Sequence, residues 1–128
     1  MRANDIQHGG SHYMRGGSLQ HWDWVAFNRL GYFEGCATKY VARHRFKNKL
    51  EDLNKAEHFI RKLLELYSEG KISVEDNPLQ RVSAESFAAM NGLNELEEEF
   101  CRLVMEWDSE EDLLTAIAIV DQLKLMLS

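Results

Sequence analysis

The sequence predicts an all-α protein: a compact bundle of four or five helices behind a glycine-rich N-terminal arm, with enough apolar surface to favour oligomerisation. Three observations carry this. Leu50, Leu53, Ala56, Ile60, Leu63 and Tyr67 recur at spacings of three and four, the near-heptad period of a helix with one apolar face. The same period returns at Leu93, Leu96, Phe100, Leu103 and Trp107, and again at Leu113, Ala116, Ile117, Val120, Leu123 and Leu127. The alternating pattern of a strand is nearly absent, with KISVE, from Lys71, the only short candidate.

In chain order, residues 1–18 hold Gly9, Gly10, Gly16 and Gly17 and read as an arm, with His12 and Tyr13 between the glycine pairs. Residues 19–30 read as a helix with Ser18 as N-cap and Leu19, Trp22, Ala26 and Leu30 near one face. On that reading Trp22 enters the core and Trp24 faces a ligand or an interface. Gly31 ends the helix, and a two-helix stretch linked at Lys47–Lys49 follows, its second helix running from Leu50 to Ser68 with Gly70 as the stop. Residues 19–69 thus form a helical core. Residues 70–82, with the single proline Pro78, form a linker. Residues 83–128 form an acidic helical hairpin that packs on the core or on a neighbouring subunit. Within it Ser83 is a cap, Gly92 weakens or kinks the chain, and Ser109 with Asp112 has the form of a capping box.

The totals narrow the possible functions. A chain of 128 residues is one domain by length. Its 15 Lys and Arg against 21 Asp and Glu give a net charge of −6, which argues against general nucleic-acid binding. The charge is asymmetric: cations cluster from Arg29 to Lys62, whereas only Arg102 and Lys124 are basic beyond Val82. One half is therefore suited to dock electrostatically on the other, within a chain or between subunits. Cys36 and Cys101 fall on expected helices and read as reduced thiols of a cytosolic protein. No signal-peptide core or membrane-length apolar run is present, which places the protein in the cytoplasm.

The most unusual chemistry lies between Phe33 and Phe59. Lys39, Arg43 and Lys47 are four apart and would share a helical stripe, with Tyr40 beside it. No carboxylate interleaves between Thr38 and Asn48. Gly35 and Ala37 keep the helix slim, and Asp52 and Lys55 adjoin each other at the start of the next helix. A basic stripe beside an aromatic near a helix start suits an anionic small molecule such as a nucleotide. Replacing Lys39 or Arg43 is expected to weaken such binding and leave the fold intact.

The order of these residues resembles a known family. Ser11-His12-Tyr13, then Gly35 with Lys39-Tyr40 and Arg43, then Lys47, then Asp52-Leu53 with Lys55-Ala56 is similar to the phage SaV-like family. That family, largely of unassigned function, includes the carboxy-terminal domain of a podophage nucleotide kinase. The resemblance covers residues 11 to 67, and this chain has Cys36 where the family has Asn. It implies a nucleotide-binding protein of an infected bacterial cell, with nucleoside monophosphate kinase activity as the enzyme form. In that form His12, Tyr13, Lys39, Tyr40, Arg43 and Lys47 hold the nucleotide, and Asp52 and Lys55 serve catalysis. The donor would be ATP or another nucleoside triphosphate, with Mg2+ open.

No G-x-x-x-x-G-K-[ST] is present, so phosphates would have to be held by side-chain cations. Histidines are scattered, and no dedicated metal site is expected. The acids Glu95, Glu97, Glu98 and Glu99 invite comparison with the all-helical MazG-type pyrophosphatases, but the later E-x-x-D element is missing, and a solvated acidic face is the stronger reading. Two non-catalytic alternatives stand beside the kinase: a nucleotide-sequestering protein, and an inhibitor of a host protein acting through the acidic hairpin.

Overall fold

The near-heptad stripe from Leu50 becomes the longest helix of the computed structural model, which describes residues 19–74 and 82–127. The described residues form six α-helices and one 3-10 turn, with no strand. They are α1 (His21–Asn28), α2 (Tyr32–Arg43), the turn His44–Phe46, α3 (Leu50–Ser68), α4 (Ala84–Asn91), α5 (Glu95–Glu106) and α6 (Glu110–Leu125). The number exceeds the four or five expected because Gly92 ends α4 outright, and α5 starts afresh at Glu95. The arm, with His12 and Tyr13, and the linker proline lie outside the described residues.

Four helices close a cycle: α2 packs on α3, α3 on α6, α6 on α5, and α5 back on α2. Their apolar faces meet in one core that includes Val41, Leu53, Ile60, Phe100, Leu113 and Val120. Each such side chain, fully buried, contributes roughly 1.5–3 kcal/mol. The acidic segment therefore packs on the core of its own chain. Leu50, assigned to the buried stripe from its spacing, is 51% exposed at the first position of α3.

The two tryptophans of α1 exchange the roles expected of them. Trp24 is fully buried and stacks on Phe87 of α4 at 4.6 Å, whereas Trp22 is 47% exposed. The helix begins at His21 with Gln20 as its N-cap, so Leu19 lies outside it and does not mark its inner face, which Trp24 and Asn28 form instead. Gly31 does not end α1. Arg29 does, in the left-handed conformation with φ 54°, and Gly31 is the N-cap of α2.

Caps fix the other helices. Ser83 Oγ accepts from Ser86 N at 3.0 Å, and Gly92 ends α4 at φ 65°. Ser109 accepts from Asp112 N, but the Asp112 carboxylate returns to Asp108 N, one residue before the cap. The complete capping box is at α5, where Asn94 and Glu97 each accept the other's backbone N–H.

Candidate functional site

Lys39, Tyr40 and Arg43 lie on α2, and Lys55 and Phe59 lie on α3. The packing of these two helices brings them together. Tyr40 stacks on Phe59 with ring centroids 5.9 Å apart and an interplanar angle of 11°. Around the Tyr40 ring stand three cations: the Arg43 guanidinium at 4.8 Å, Lys55 Nζ at 5.4 Å and Lys39 Nζ at 5.5 Å. All three lie within the range of attraction to an aromatic face.

The partners of these cations differ. Arg43 grips Asp52 in a fork, Nε to Oδ2 at 3.2 Å and Nη2 to Oδ1 at 3.1 Å. Asp52 is fully buried and also accepts Asn48 N–H at 3.2 Å. Burial alone would raise its pKa. The Arg43 bonds, the Asn48 N–H and the charges of Arg43 and Lys55 outweigh burial and hold the carboxyl below its usual range. Lys55 pairs with Glu51 at 3.4 Å across an exposed helical turn. Lys39 makes no ion pair among the described residues.

Lys47 does not continue the stripe. The α-helix ends at Arg43, the chain tightens into the 3-10 turn, and Lys47 falls in the exposed link to α3. Lys49 then adopts φ 45°, a conformation that a side-chain-bearing residue seldom takes. Its N–H bonds His44 O at 2.9 Å, and Asn48 is tied to Asp52, so the bend is held from both sides.

The carboxylates missing from the basic run arrive from elsewhere in the chain. Besides Asp52 on Arg43, the fully buried Glu97 of α5 takes Arg45 in a second fork, both bonds at 3.0 Å. Arg45 also donates to Gly92 O, and buried His44 Nδ1 lies 3.5 Å from Glu97. The basic and acidic halves thus dock within one chain. Of the other acids, Glu99 pairs with Arg102. Among the described residues no three His, Cys, Asp or Glu side chains converge as metal ligands.

A shallow apolar hollow of about 290 Å³ adjoins the cation cluster. Lys39 stands at its edge, and Trp22, Val25, Tyr32 and Cys36 form much of its wall. Gly35 lines it too; a Cβ there would meet Val25 at 3.5 Å, so the slim helix brings α1 close. His21 lines it as well and accepts burial at the cost of its charge: desolvation first, then the charge of Lys39, lower its pKa to about 4. Its Nε2 lies 2.8 Å from Thr38 Oγ1, and the same hydroxyl lies 2.8 Å from Glu34 O.

Of the residues singled out in the sequence, Lys39, Arg43 and Lys55 come together around the ring of Tyr40. Phe59 and Trp22, which lie beside them, were not singled out for the site, because their placement depends on the crossing of α2 with its neighbours. Comparisons with family models, with curated proteins and with solved structures return no match. Among the described residues no helix is long and apolar enough to cross a membrane.

Proposed function

We propose that the chain binds a nucleotide, its phosphates on the cations around Tyr40 and its base in the hollow beside Trp22. The observation that supports this best is the convergence of Lys39, Arg43 and Lys55 on one aromatic ring, with Lys39 shared between that ring and the hollow. Phosphate oxygens find charge-assisted donors there, and a base finds apolar and aromatic surface within reach. The SaV-like resemblance points to the same ligand class.

Binding without turnover is the form we favour. In a monophosphate kinase Asp52 would act as base and Lys55 would steady the transferred phosphoryl group. Asp52, however, is buried, holds Arg43 and Asn48, and is a weak base with its lowered pKa. It is better suited to aim Arg43 than to accept a proton. The protein so understood sequesters nucleotides in the cytoplasm of an infected bacterium. Exposed Leu125, Met126 and Leu127 at the end of α6 are the surface through which it would self-associate.

Titration calorimetry with nucleoside mono-, di- and triphosphates and cyclic dinucleotides, with and without Mg2+, tests this. Saturable binding should weaken with salt. Lys39→Ala with Lys55→Ala should lower affinity about tenfold or more, roughly 1.4 kcal/mol, at unchanged Tm. Product formation from a donor and a monophosphate would replace sequestration with kinase activity. An absence of binding to every nucleotide would remove the proposal.

A further inference from the structure

A second cavity, of about 250 Å³, opens between the α1–α2 link, α3 and the end of α5. Phe33, Leu63, Met105 and Trp107 supply apolar and aromatic wall, and Glu34 and Arg29 supply charge. Its volume suits a compact molecule rather than a large ligand. Tyr32 lies between this cavity and the hollow beside Trp22 and lines both.

Glu34 is held in place. Trp107 Nε1–H donates to its Oε2 at 2.7 Å. Gly31 leaves room for the carboxylate, since a Cβ at that position would stand 2.6 Å from Glu34 Oε1. The ordinary role of a glutamate in the first turn of a helix is to complement the dipole from solvent. This one is instead half-buried and fixed against an indole just past the end of α5. Among the described residues no cation pairs with it. A carboxylate set in an aromatic wall, with one neutral donor for its charge, is poised for an ammonium group. Arg29, in the same cavity and likewise without an ion pair among the described residues, is positioned for an anion on the same molecule.

We infer that this cavity binds a small molecule carrying a primary ammonium on an apolar body, with Glu34 as the residue that reads the ammonium. The ligand is either a simple amine or an apolar α-amino acid, which would add a carboxylate for Arg29. The inference does not rest on nucleotide binding.

The probes are phenethylamine, phenylalanine and uncharged 2-phenylethanol, titrated into the full chain by calorimetry. Phenethylamine or phenylalanine should bind saturably at millimolar concentration or below, and 2-phenylethanol should not. Glu34→Gln keeps an acceptor for Trp107 and removes the charge. It should weaken binding about tenfold, as expected for loss of a charge-assisted contact, while Tm and nucleotide affinity stay as in the parent chain. Ser73→Trp, at a lining position on the loop after α3, should block the cavity and abolish binding. With Arg29→Ala, a loss confined to phenylalanine assigns the amino acid, and no loss assigns the amine. The inference fails if neither ammonium probe binds, if the alcohol binds as well as they do, or if Glu34→Gln leaves affinity unchanged.

Discussion

His21 shows how one residue ties stability to pH. In the folded chain its pKa falls to about 4 from 6.5, through burial and the nearby charge of Lys39. The unfolded chain therefore binds the proton first. The stability His21 contributes is complete above pH 6.5, falls as pH drops from 6.5 towards 4, and loses nothing more below that. By linkage the loss is up to about 3 kcal/mol. Asp52 acts in a separate window, as does Glu57 of α3, where burial is outweighed by bonds from Lys124 and Arg61, both at 2.7 Å: their contributions are complete above the ordinary carboxylate pKa and are lost as pH falls from there through their depressed values. Urea denaturation at pH 7 and pH 5 should show the parent chain weakening, and His21→Gln should flatten that difference. An equal pH dependence in the variant would refute the assignment.

At the scale of elements, the Arg43–Asp52 fork fastens the end of α2 to the first turn of α3 across the strained Lys49 bend. The expectation that Arg43 could be replaced without disturbing the fold does not survive this geometry. Arg43→Ala would leave the buried Asp52 charge without its partner. Breaking such a pair costs several kcal/mol when both members are buried; with the Arg43 side chain 33% exposed, about 2–3 kcal/mol is the expected loss. Lys39→Ala should leave stability within about 0.5 kcal/mol, as for other surface positions. Chemical denaturation of the two variants checks both values. The contrast also shows what was legible. The stripe of α3 was plain because its nineteen residues repeat the period five times over. The two turns of α1 were too short to fix a register, so Trp22 and Trp24 were exchanged. The partner of Arg45 lies fifty-two residues away, and periodicity carries no information about contacts at that distance.

For the molecule as a whole, the acidic half completes the core. Phe100, Val104, Leu113, Ala116 and Val120 lie in one cluster with Leu53, Ala56 and Ile60. Arg45, Gly92 and Glu97 clamp the two halves, and Asn91 Nδ2 reaches back to Leu19 O at 2.8 Å. A chain cut after residue 82 would expose the face of α3 and leave Arg45 and His44 without Glu97. It should show no cooperative thermal transition by circular dichroism, whereas the full chain should show one. A folded fragment would mean that the core closes without α5 and α6. Here the sequence was informative in a different way: the separation of basic from acidic residues along the chain was readable as mutual attraction, but whether it acted within a chain or between chains depended on the closed cycle of helices.

The placement of the three tryptophans has an optical consequence. Trp24 is fully buried and Trp107 nearly so, while Trp22 meets water at the wall of the hollow. Intrinsic fluorescence thus divides into a blue-shifted component from the interior and a red-shifted one from a single indole. A molecule entering the hollow should alter only the latter, so the protein carries its own dye at the hollow, and acrylamide quenching can follow it without any label.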